Sequence, residues 1–141
     1  MKKHIIIALF AVMGLSFTFS SCNKYEDGPK FSLLTKKMRL TGDWSLEKYL
    51  SNGTDVTSNM STLFGSTWEL QIEKDGSYKE TGNFNISGTW QLGEDKDDVT
   101  LNETSPSSST TTYRILKLKN KELWLRYTNS NGTYDEVHLK Q

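Results

Sequence analysis

The chain is 141 residues long and carries 17 basic and 17 acidic side chains, so its formal net charge is zero. That balance, without a basic block, argues against a nucleic-acid partner. A single cysteine, Cys22, rules out an intrachain disulfide, and two histidines, His4 and His138, leave too few ligands for a His/Cys zinc site.

Lys2 and Lys3 precede an apolar run from Ile5 to Leu15, broken only by Gly14, and Ser20-Ser21 leads to Cys22. This order of charge, apolar core and small residues reads as a secretory signal, and the run is too short to span a membrane. The placement of Cys22 resembles the lipobox of bacterial lipoproteins, with Phe19 where Leu is usual and Ser21 where Gly or Ala is common. The resemblance implies cleavage before Cys22, acylation of that cysteine and a lipid anchor in the outer membrane, facing the periplasm or the cell surface. Removing residues 1–21 leaves 120 residues; losing Lys2 and Lys3 lowers the basic count to 15 against 17 acidic groups, a net of −2. That length suits one domain with one core. Residues 22–30, with Asn23, Lys24, Glu26, Asp27, Gly28 and Pro29, read as a tether, and the folded domain is expected over 31–141.

The one helical candidate is Phe31 to Met38, about two turns at most. From Gly42 onward, short runs alternate apolar and polar residues between turn residues, the period of antiparallel strands. Strands are predicted at 42–50, 67–73, 77–84, 88–93, 98–103, 110–119, 122–127 and 133–140, with a long loop over 51–66. No amphipathic run is long enough for crossover helices. The class is therefore all-β, an up-and-down antiparallel β-barrel of about eight strands that closes to remove its edges.

The turns fix the faces. A three-residue loop Lys74-Asp75-Gly76 sets Ile72 against Tyr78, Leu70 against Glu80 and Trp68 against Gly82. The loop Ser130-Asn131-Gly132 sets Leu125 against Val137, Leu123 against Leu139 and, outside, Arg126 against Glu136. A two-residue turn at Asn120-Lys121 sets Leu118 against Leu123, Leu116 against Leu125 and Arg114 against Tyr127 on the inner side. Lys117 and Trp124 then pair outside. The segment Thr104 to Thr110, with six serines and threonines around Pro106, reads as mobile low-complexity chain.

Gly42-Asp43-Trp44 resembles the Gly-x-Trp start of lipocalins. Gly76-Ser77-Tyr78 and Gly88-Thr89-Trp90-Gln91-Leu92 resemble the small lipocalin-like domains of bacterial lipoproteins, over about 42–140. Lipocalins commonly pack a basic side chain from the last strand over that Trp; here Val137 and Leu139 hold the matching positions. The resemblance implies tight turns at the Trp44 end and an open mouth at the other.

Three interior constellations follow. Gly82 is expected between Trp68 and Trp90 near the mouth, as a structural cover or an aromatic floor for a ligand. Arg114, Tyr127 and Asp135 are expected as an inward polar row, either a salt-bridged plug or a ligand anchor. Glu80 is expected inside, with Lys48 sharing the interior beside Leu46 and Leu50, because a buried carboxylate needs a partner. No metal cluster, phosphate loop or Ser/His/Asp set is visible, so neither cofactor nor catalysis is expected. The expected partners are the membrane, through Cys22, and a small apolar or amphipathic ligand held by Trp68, Trp90, Glu80, Arg114, Tyr127 and Asp135. The alternative is an inhibitor or accessory subunit that uses the mouth loops of a filled barrel.

Overall fold

Turn chemistry and strand alternation together produce nine strands and two short helices within residues 33–141, the part of the chain described by the structure, a computed structural model. The signal, the tether and Cys22 lie outside these residues. The elements are α1 (Lys36–Leu40), β1 (Gly42–Ser51), β2 (Thr54–Asp55), α2 (Thr57–Phe64), β3 (Glu69–Ile72), β4 (Ser77–Thr81), β5 (Ile86–Leu92), β6 (Asp98–Ser105), β7 (Ser109–Leu118), β8 (Glu122–Thr128) and β9 (Tyr134–Lys140). Strands pair with their sequence neighbours, and β1 also pairs with β9, which closes an eight-stranded antiparallel barrel. The two-residue β2 is an extra strand on β1.

Two hairpins set the register. Gly76 and Gly132 take φ of +95° and +85°, the left-handed position of a three-residue loop. In each, the residue before the glycine braces the one after it. Asp75 accepts from the Ser77 backbone N–H and hydroxyl, and Asn131 accepts likewise from Thr133. The pairs that follow are Ile72–Tyr78 and Leu70–Glu80, then Leu125–Val137 and Leu123–Leu139, as the alternation requires.

Bulges overturn the expected faces elsewhere. In β7, Leu116 is extra: Leu118 still opposes Leu123 and Lys117 opposes Trp124, but Ile115 now opposes Leu125 and Arg114 opposes Arg126. Ile115 is buried and Arg114 is exposed, the reverse of the alternating pattern. In β1 the register shifts between Leu46 and Lys48, so Tyr49 opposes Val137 inside. Lys48 is exposed, 3.6 Å from Asp55 on β2, and does not share the interior with Glu80.

The closed end is sealed by α1, which starts later than expected because Thr35 caps it, accepting from Met38 N–H at 3.1 Å. Leu40 and Trp44 are fully buried, and the Trp44 indole donates to the Leu40 carbonyl at 2.9 Å. Arg39 reaches the Leu118 carbonyl at 3.0 Å. Leu70, Ile72, Val99, Ile115, Leu118, Leu123, Leu125 and Leu139 complete most of the core.

The segment expected to be mobile is a hairpin. β6 runs to Ser105 and β7 restarts at Ser109, and the Glu103 carboxylate accepts from Ser107 and Ser109. The serines that read as low complexity are the donors that hold the turn.

Candidate functional site: a cavity at the open end

The expected loop 51–66 contains α2, whose Thr, Ser and Asn content gives it poor intrinsic helicity. Neighbours hold it in place. Asp55 accepts from Thr57 N–H and hydroxyl, and the Thr57 hydroxyl accepts from Tyr49 N–H. At its other end Asn83 donates its side-chain amide to the Thr62 and Leu63 carbonyls, and its backbone N–H to Phe64 at 2.6 Å. These bonds satisfy carbonyls that a helix end leaves open. Gly82 makes this approach possible, since a Cβ there would lie 2.3 Å from the Phe64 carbonyl oxygen.

So anchored, Phe64 forms one wall of a cavity of about 380 Å³. Leu46, Leu70, Leu101, Leu125, Val137 and Leu139 give the apolar lining. Five aromatic side chains, Tyr49, Phe64, Trp68, Tyr113 and Tyr127, and the polar Glu80, Thr111 and Asp135 complete it. Phe64 lies 6.3 Å from Tyr49 and 5.9 Å from Trp68, centroid to centroid, and Tyr113 lies 6.1 Å from Tyr127. Tyr127 opposes Asp135 across β8 and β9, on the side that leads to the 129–133 turn.

Burial pushes the Glu80 carboxyl above its ordinary range; the Trp68 indole opposes this by hydrogen bonding, and Glu103 adds repulsion. Burial pushes the Tyr113 phenol far up, with further contributions from Glu80, Tyr49, Tyr78 and Tyr127. Tyr49 rises through burial and the nearby Asp135 charge. Tyr78 is pushed up to about 12 by burial, Glu80 and Glu103. The phenols therefore stay neutral and can both donate and accept hydrogen bonds.

Of the residues read from sequence, Trp68, Glu80, Tyr127 and Asp135 come together here. Trp90 does not. Pairing of Tyr78 with Gly88 places Trp90 beside Gly76, at the closed end, where its indole donates to the Glu73 carbonyl at 2.8 Å and Lys37 lies 5.7 Å above its ring. Gly82 therefore neighbours Trp68 but not Trp90. Arg114 is on the outer face, so the inward row of Arg114, Tyr127 and Asp135 does not exist; Tyr113 takes its place. Tyr49, Tyr113 and Phe64 were missed. Adjacent Ile115-Leu116 and adjacent Glu47-Lys48 are breaks in alternation that mark both bulges.

Outside, the same strands carry a ladder of rings and charges. Trp124 and His138 stack at 4.1 Å, and Lys117 sits 4.0 Å above the Trp124 ring and 3.0 Å from Glu122. Glu136 accepts from Arg126 Nε at 3.0 Å and lies 3.3 Å from His138 Nε2. Burial raises the Glu136 carboxyl, but the bonds and charges of Arg126 and His138 outweigh it and hold the group below its usual range.

No family model and no curated protein matches this chain. A crystal structure of a DUF4847 family protein from Bacteroides vulgatus shares the fold, with a TM-score of 0.51 and 17% sequence identity over 75% of this chain and 98% of that one.

Proposed function

We propose that this protein is a lipid-anchored component of the cell envelope that binds a small amphipathic molecule in a lipocalin-like barrel. The observation that carries the binding reading is the cavity. At about 380 Å³ it falls within the range of small-molecule sites, roughly 300–1,000 Å³. It combines an apolar lining with a few polar groups, the usual composition of such sites. Thr111 borders the cavity and is only partly buried, so a larger side chain there fills the space without disturbing the core. Thr111→Phe should weaken binding of a neutral naphthylamine fluorophore about tenfold or more with no loss of thermal stability. Equal binding by the variant and the parent chain would place the probe elsewhere.

The anchor is tested separately. Cys22→Ser should move the protein from the membrane fraction to the soluble fraction, since acyl chains bind at about 0.8 kcal/mol per buried methylene. Unchanged fractionation would remove the lipoprotein reading.

A second reading, a protein-interaction module acting through the mouth loops, draws on Leu63 and Phe84. They are 52% and 56% exposed and flank Asn83 and the end of α2. A chain that binds no small apolar probe would favour it.

A further inference from the structure

We propose that the cavity selects a cation: an organic amine or quaternary ammonium group carried on an apolar body. This deepens the binding reading above and rests on it. Glu80 and Asp135 are the charged side chains of the lining, and no lysine, arginine or histidine is among the residues that form it. Neither carboxylate forms an ion pair among the described residues. Lys48, Arg126 and Lys117 have partners outside the cavity, Asp55, Glu136 and Glu122, and Arg114 is exposed on the outer face.

The rest of the lining suits the same ligand. Ring faces carry negative charge and attract cations, ammonium groups above all. Tyr49, Phe64 and Trp68 form one continuous aromatic wall, and Tyr113 with Tyr127 forms another. Glu80 stands on β4 opposite Leu70 and lines the same cavity as both walls. Asp135 is beside Tyr127 on the mouth side. An anion entering here would meet carboxylates and ring faces with no counter-charge. A cation would supply the counter-charge that the chain leaves out. The six aliphatic side chains of the lining would take the apolar body.

The test compares three probes with one tail: octyltrimethylammonium, octanol and octanoate, each below its micellar concentration. They are titrated by calorimetry into the purified protein, into the Glu80→Gln and Asp135→Asn variants, and into the double variant. The ammonium should bind about tenfold or more tighter than octanoate, with octanol between them. The double variant should lose most of that preference, and its circular dichroism spectrum reports on folding. Equal binding of all three probes, or tightest binding of octanoate, overturns the cation proposal and leaves the binding reading standing. A preference that survives in the double variant overturns the role of the carboxylates. No binding of any probe overturns the binding reading itself, and the cation proposal with it.

Discussion

The outer face of β7, β8 and β9 and the barrel interior use similar side chains to opposite ends. Outside, Trp124 is stacked against His138 with Lys117 on its other side, and Glu136 is held by Arg126 and His138. Lys117, Arg126 and Glu136 each have an opposite charge within reach. Inside, Trp68, Tyr113 and Tyr127 border empty space, and the carboxylates of Glu80 and Asp135 have no basic neighbour in the lining. The outer arrangement is complete in itself. The inner one leaves two partly buried carboxylates without a basic partner in the lining.

The largest expected effect that would sharpen this contrast comes from the two tryptophans. Trp124→Ala removes a half-buried ring held between His138 and Lys117 and should cost about 3 kcal/mol in chemical denaturation while leaving probe binding intact. Trp68→Ala, which enlarges an existing cavity, should cost less and abolish probe binding. The reverse pattern would break the comparison.

The two glutamates give the next effects, opposite in sign. Glu136→Gln loses charged hydrogen bonds to Arg126 and His138 and should cost about 2 kcal/mol at neutral pH. Because its folded carboxyl is held low, its contribution is present above the usual carboxylate range and is lost as pH falls through the lowered value. Glu80→Gln should instead raise stability, on the order of 1 kcal/mol, by removing a poorly compensated charge. Its folded carboxyl is held high, so its favourable contribution is present below the usual range and is lost as pH rises through the raised value. The gap between Glu80→Gln and the parent chain should therefore open with rising pH in thermal melts. That between Glu136→Gln and the parent should close with falling pH. Parallel curves would mean that the two carboxylates occupy equivalent environments.

The parts of this barrel that could be read from the sequence are those set by local chemistry. Asp75-Gly76-Ser77 and Asn131-Gly132-Thr133 each contain a turn, a left-handed residue and its brace within three residues, and the pairing they dictate is the pairing observed. Trp68, Glu80, Tyr127 and Asp135 follow from those two hairpins. Strict alternation past Leu116 and Glu47 puts Arg114 and Lys48 inside, whereas a bulge reverses every face beyond it. Trp90 is not legible in the same way, because the β4–β5 turn has no residues that fix its length. α2 escaped because its stability comes from Asn83, Asp55 and Tyr49, residues remote from the helix or outside it.

The bulges in β1 and β7 have a consequence for how such a barrel can diversify. Without them, regular alternation would bring Lys48 and Arg114 inward in place of Tyr49 and Tyr113, and the interior would hold two positive groups beside Glu80 and Asp135. Each bulge thus exchanges a cation for a neutral phenol without any substitution. The charge of the interior is thus set by backbone pairing: a homologue with identical side chains but unbulged strands would hold two cations against the two carboxylates, a balanced interior in place of a negative one.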